Sequence, residues 1–314
     1  MANVINRRWS RFRYLLAYKY FLKFYYGERL IDYPISVALK MLLSRLAFVS
    51  QLPILLPDKH FLINYHGSKM YINLNFSPIM IDLALGVYEY RKTKLFYDLI
   101  REGMTILDIG AGRGNYSVLF AKLMHDKGRV LAFEPEPDQC LWIKKNIQAN
   151  NYKCVALHQY ALSDKEGSAT FYPGHGLGSL VSPPSWRIPD ELQKGPITVK
   201  TRTLDNVLNE EHIKDVHIIK MDVEGGDLLV LRGAERTLQS NNVSLLMDVD
   251  VFSNAERKEL FNLLNYCGFE IYRIGRELKP INKANELFLF SEEPESTHVK
   301  IHQTVREIYA TKPE

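Results

Sequence analysis

The chain has 314 residues, 46% of them apolar and 24% charged, with 18 Gly, 14 Pro and 3 Cys. That length suits one large core with an appendage, and the composition is that of a globular chain, not a disordered or disulfide-stapled one. Cys140, Cys154 and Cys267 follow neither zinc-ligand nor disulfide spacing, so a reducing compartment, the cytoplasm, is expected. A formal charge of +4 with no RNA-binding signature argues against a nucleic-acid partner.

In chain order, residues 1–53 read as a basic, aromatic and mainly helical extension. Arg7, Arg8, Arg11, Arg13, Lys19, Lys23 and Arg29 interleave with Trp9, Phe12, Tyr14, Tyr18, Tyr20, Phe21, Phe24, Tyr25 and Tyr26, with Glu28 the one acid of the first 30 residues. Charges run through what would be the apolar core of a signal peptide, and Lys40, Arg45 and Pro53 interrupt the next apolar stretch before it could span a bilayer. Two readings stay open: residues 1–30 lie peripherally on the inner face of an anionic membrane, or they pack as a cap on the domain or on a second copy in a homo-oligomer.

The run from Ile106 to Asn115 joins an apolar strand, a glycine turn and a helix expected over 116–125. Gly110, Gly112 and Gly114 let the backbone turn tightly and let a ligand lie against its amides. A dinucleotide site would place a third glycine where Asn115 stands. Asp108 would repel a pyrophosphate but suits the cationic amino-acid end of S-adenosylmethionine, so strand, acid and glycines together suggest a class I methyltransferase. A second strand, 129–133, ends in Glu134 and Pro135, with Glu134 placed for ribose hydroxyls. A helix over 137–150 and a strand over 154–159 lead to Ala161, Leu162, Ser163 and Asp164, apolar and polar contacts for an adenine. Ala111, Asn115 and Tyr116 complete the expected cofactor contacts.

A fourth strand over 216–221 runs into Asp222-Val-Glu224-Gly-Gly-Asp227 and a helical segment to 238. Lys220, Asp222 and Glu224 share one face of an extended chain. The apolar residues before them indicate a buried central strand, whose carboxyl end opens on the ligand crevice. His217 reads as a satisfied core histidine. Further strands are expected at 243–249, 270–274 and 286–290, with a Ser253/Glu256 capping box opening a helix to Tyr266 and Gly268 ending it. This completes a seven-stranded Rossmann-like α/β sheet with helices on both faces, followed by a helical or loose tail over 292–314.

These elements resemble the FkbM family of S-adenosylmethionine-dependent methyltransferases over roughly 54–291. The resemblance rests on Tyr88-Glu89, Leu107-Asp-Ile-Gly-Ala-Gly112, Ala132-Phe-Glu-Pro135, Ala161-Leu-Ser-Asp164, Arg202-Thr-Leu-Asp205, Lys220-Met-Asp-Val-Glu-Gly225 and Leu231-Arg-Gly-Ala234. It implies O-methylation of sugars or other hydroxylated natural products, and adds Glu89 to the cofactor contacts. Two departures stand out. Arg113-Gly114 replaces a frequent Asn-x-Gly, and Asp248-Val-Asp250 replaces a frequent Glu-x-His, so the acceptor is not settled by the resemblance.

Methyl transfer from a sulfonium to an alcohol needs alignment, a dry site and a base for the hydroxyl proton. Glu224 is the first choice of base, with Asp222 and the loop residue His175 as others, while Lys220 would favour an oxyanion. Asp222, Glu224, Asp248 and Asp250 would share one rim and could hold Mg²⁺ or Mn²⁺; otherwise they bond sugar hydroxyls or the cofactor ammonium. The Gly- and Pro-rich segment 171–196, with His175, Ser179, Trp186 and Arg187, is expected to recognise the acceptor. A non-catalytic binding scaffold, or an RNA methyltransferase, would be the alternative.

Overall fold

The computed structural model describes residues 33–49, 60–73, 79–174, 178–180, 195–240, 242–249, 253–275, 277–283, 286 and 307–313. A helix α1 (Ile35–Val49) precedes a hairpin of β1 (Phe61–Tyr65) and β2 (Ser68–Ile72), then α2 (Ile79–Leu85) and α3 (Tyr90–Leu99). Next come β3 (Thr105–Ile109), α4 (Asn115–Leu123), β4 (Arg129–Phe133), α5 (Pro137–Asn150) and β5 (Val155–His158). They are followed by β6 (Ala161–Leu162), β7 (Gly167–Phe171), β8 (Ile197–Arg202), α6 (Leu204–Glu210) and β9 (Ile218–Met221). The remaining elements are α7 (Asp227–Arg232), α8 (Glu235–Ser240), β10 (Ser244–Asp248), α9 (Asn254–Tyr266), β11 (Glu270–Arg273), β12 (Lys279–Ile281) and β13 (Glu307–Thr311).

The large sheet has eight strands in the order β12-β11-β13-β10-β9-β3-β4-β5. From β5 to β10 all neighbours are parallel, whereas β13 runs antiparallel between β10 and β11. Parallel strands covered on both faces must be apolar along their length; β9 accordingly buries all four of its residues. Two apolar clusters, one on Leu107, Leu131, Ile219 and Leu245 and the other on Ile106, Val130, Ile218 and Leu246, fill the two faces.

Local chemistry sets the element ends. Pro137 opens α5 and Asn151 closes it in the left-handed region. The expected capping box is present at α9, with Ser253 Oγ accepting from the Glu256 amide and Glu256 returning to the Ser253 amide. His217 is satisfied as expected, its Nδ1 accepting from the Thr105 amide at 3.0 Å.

The structure departs from the sequence reading at the far edge and after β5. The strand expected at 286–290 is not seen at residue 286, and 287–290 lie outside the described residues. The seventh slot is filled by β13, inside the segment expected to be a tail, because Ile308 and Ala310 bury completely between β10 and β11. A separate three-stranded sheet, β6-β8-β7, was not anticipated. Two of the sequence motifs prove to be joints beneath it. Asp205 accepts the Arg236 and Thr237 amides and so fastens α6 to the start of α8. Gly233 lies so close to β6 that a Cβ would sit 2.0 Å from the Ser163 carbonyl oxygen. Among the described residues no helix is long and apolar enough to cross a membrane.

Candidate active site

The turn after β3 is shaped by three glycines, with φ of 72°, 56° and 81° at Gly110, Gly112 and Gly114. Such angles cost other residues steric energy. Gly110 is also hemmed in: a Cβ there would lie 1.9 Å from the Asp222 carbonyl oxygen, so β3 and β9 converge closely at their carboxyl ends. The Gly110 and Ala111 amides both donate to the Phe133 carbonyl at 3.0 Å, and the Gly110 carbonyl accepts from Lys220 Nζ at 3.0 Å. The turn is thereby held ready before any ligand arrives.

Beneath it, β3 and β9 pair in register so that Asp108 lies opposite Lys220. Asp108 is fully buried; one carboxylate oxygen accepts from Ser117 Oγ at 2.6 Å and the other lies 3.5 Å from Lys220 Nζ. Burial pulls the Lys220 ammonium down, but the charges of Asp108 and Asp222 more than offset it, and its affinity for the proton is raised. The structure therefore places Asp108 and Lys220 against each other under the glycine turn, and neither belongs to the cavity wall above it.

That cavity encloses about 630 Å³ of atom-free space, part of it open to solvent, and its wall includes Gly110, Gly112, Glu134, Pro135, Ala161, Leu162, Asp222 and Glu224. Glu134 accepts the Gly112 amide at 2.8 Å on one oxygen and the Glu136 amide at 2.8 Å on the other. Burial pushes its carboxyl up to about 8 against the pull of both amides. Tyr160, which sequence reasoning missed, and Phe171, the first residue of the segment expected to recognise the acceptor, add aromatic surface to the wall. Ser163 is buried, its amide donating to Arg202 and its hydroxyl to Asp164, and it stands outside the wall.

The acidic side chains separate into two groups. Glu89, Asp222 and Asp248 each bring one carboxylate oxygen within 4.8 Å of the others. Lys92, buried and unremarked in the sequence reading, sits 2.9 Å from Glu89 and 2.7 Å from Asp248. Glu89 also accepts from the Tyr116 hydroxyl at 2.5 Å. Burial alone would raise the Glu89 carboxyl, yet Lys92 and the Tyr116 hydroxyl bring it down to about 2. The signal for Lys92 was its spacing, three residues after Glu89 on a helix.

Glu224 stands apart from that trio. It lies on the cavity wall with φ of 57°, and its carbonyl accepts from Ser179 Oγ at 2.8 Å. Ser179 thus pins its segment to the turn after β9, with backbone hydrogen bonds in both directions between Tyr172 and Ser179. Glu89 and Glu224 are both non-glycine residues in the left-handed region, a strain that concentrates at functional sites. Asp227, at the start of α7, accepts the Gly225 amide at 3.2 Å and so braces the turn that carries Glu224. Burial and the charge of Asp222 raise its carboxyl to about 7.

The expected metal group is accordingly redrawn. Asp222 and Asp248 do converge, but Glu89 is the third carboxylate, Glu224 is not a member, and Asp250 lies outside the described residues. Three hard oxygen donors suit a divalent cation in type, yet the Lys92 ammonium already bridges two of them. His175, Trp186 and Arg187 also lie outside the described residues.

The sequence profile of the methyltransferase FkbM domain matches residues 108–271. The 2-O-methyltransferase NoeI of Sinorhizobium fredii is 29% identical over 147 residues, 42% of this chain and 58% of NoeI. The hexuronic acid methyltransferase AglP of Haloferax volcanii is 25% identical over 186 residues, 59% of this chain and 72% of AglP. The chain thus spans little more than half the length of NoeI. A crystal structure of a methyltransferase FkbM from Methylobacillus flagellatus aligns with 74% of this chain and 54% of its own, at 14% identity and a TM-score of 0.42.

Proposed function

The chain belongs to the FkbM methyltransferase domain family, and we propose from that premise that it transfers a methyl group from S-adenosylmethionine to a hydroxyl of a saccharide or a similarly hydroxylated acceptor. The observation that carries this reading is the cavity itself, whose wall brings together the glycine turn, Glu134, Asp222 and Glu224. The names of the relatives NoeI and AglP, a 2-O-methyltransferase and a hexuronic acid methyltransferase, support the choice of a sugar hydroxyl.

S-adenosylmethionine supplies an electrophilic methyl on a positively charged sulfur. In our reading Glu134 receives the ribose hydroxyls, Ala161 and Leu162 pack the base, and the Gly110 to Gly112 turn supports the chain of the ligand. The ligand's ammonium group is assigned to Asp222, which lies on the cavity wall, since Asp108 and Glu89 are paired with Lys220 and Lys92 and lie off it. Glu224 accepts the acceptor proton as the methyl departs, its strained backbone keeping the carboxylate on the cavity wall. Lys92 supplies the positive charge that Glu89 and Asp248 require; were Mg²⁺ or Mn²⁺ to displace it, Glu89, Asp222 and Asp248 would hold the ion and acidify the acceptor hydroxyl.

The test is incubation of the protein with methyl-labelled S-adenosylmethionine and fractionated cell extract. Label is expected in a glycan or hydroxylated small molecule. Calorimetric binding without label in any fraction would leave a scaffold in its place, and label in RNA would redirect the assignment. Glu224→Gln should lower turnover roughly 100-fold or more while preserving cofactor affinity.

A further inference from the structure

On helix α1 four large apolar side chains are exposed, together with Ser36 and Lys40. Ile35, Leu39, Leu42 and Leu43 recur at helical spacing and are 81%, 56%, 41% and 57% exposed. Its inward side carries Met41 and Ser44, both buried, with Ser44 Oγ donating to Asp82 of α2 at 2.5 Å. These four are nearly half of the nine large apolar side chains exposed among the described residues, and the other five are scattered over separate elements. Isolated exposed leucines need no explanation, but a row of them on one helix marks a contact surface.

The adjoining sequence indicates what the row contacts. Residues 1–30 carry seven Lys and Arg against a single acid, interleaved with nine aromatic side chains. A protein partner would need an apolar groove and an acidic surface side by side. An anionic bilayer presents both at once, with negative headgroups over hydrocarbon, and aromatic rings settle at that boundary. We propose that α1 and the basic segment before it dock the protein on an anionic lipid surface. Helix α2, which supports α1, ends four residues before Glu89. The inference stands independently of the methyl-transfer reading.

The full chain should be sedimented with vesicles of equimolar phosphatidylglycerol and phosphatidylcholine, and with vesicles of phosphatidylcholine alone, at low and high salt. Binding is expected to the anionic vesicles and to weaken with salt. The pair Leu39→Ser and Leu43→Ser should weaken it about tenfold or more at an unchanged melting temperature. If that pair melts below the parent, Ile35→Ser, at the exposed first turn, takes its place as the readout. Gln at Arg7, Arg8, Arg11 and Arg13 should erase the preference for anionic over neutral vesicles. No binding by the unaltered chain, or binding that the serine variants leave unchanged, would overturn the proposal. So would a dimer in solution that the serine pair dissociates, since the face would then belong to a second copy.

Discussion

Gly110 does the most with the least at the scale of single residues. Alanine there meets both a left-handed φ and the Asp222 carbonyl at 1.9 Å, so Gly110→Ala should cost roughly 3–5 kcal/mol of stability and abolish cofactor binding, read by thermal melting and calorimetry. Glu134 gives a pH signature. Its carboxyl, ordinarily at 4.5 and pushed up to about 8 in the folded protein, binds its proton more tightly when folded. Its contribution to stability is therefore full below 4.5 and fades as pH rises through 8. A ligand whose hydroxyls donate to the carboxylate favours the ionised form, so affinity for S-adenosylmethionine should climb toward pH 8, and Glu134→Gln should bind more weakly with a flatter profile. The glycine turn and the place of Glu134 at the end of β4 were legible because both follow from adjacent residues. Asp108 and Lys220 were visible as charges, but that they face each other depends on strand register across 112 positions, and Lys92 meets Asp248 across 156.

Elements were legible where they begin and end on local chemistry. The α5 helix was read at its observed bounds from Pro137 onward, and α9 from its capping box. Ser253→Ala removes both reciprocal bonds and should lower stability by about 1 kcal/mol in denaturant titration, with activity unaffected. The strands β7 and β8 escaped notice because their alternate residues, such as Ser168, Thr170 and Lys200, are exposed. A short strand with one wet face and a Gly- and Pro-rich neighbour reads as loop. In the segment expected to recognise the acceptor, the bond from Ser179 to the Glu224 carbonyl is a long-range one that no local pattern announces.

Across the whole molecule, alternating strands and helices disclosed the parallel half of the sheet, whose order follows from connections between successive units. The antiparallel half was less accessible. The run Glu286-Leu-Phe-Leu-Phe290 has the stronger strand pattern, but Glu307–Thr311 is what pairs with both β10 and β11. Pairing partners decide there, and they are remote in the chain. Deleting residues 306–314 should leave β10 and β11 without their common neighbour and expose the seats of Ile308, Tyr309 and Ala310. Loss of the cooperative melting transition is expected, with a collapsed circular-dichroism signal; a truncated chain that still melts sharply would show the sheet closes without it.

The placement of β13 also orders events during synthesis. As the chain leaves the ribosome from its amino end, β3, β4, β9 and β10 can assemble as each emerges. Residues 270–273 cannot join them, because their place in the sheet is reached only through 307–311. The nascent protein must therefore carry a hairpin in waiting, its inner edge open to any chaperone or stray strand, for as long as the translation of the 25 residues between β12 and β13 takes.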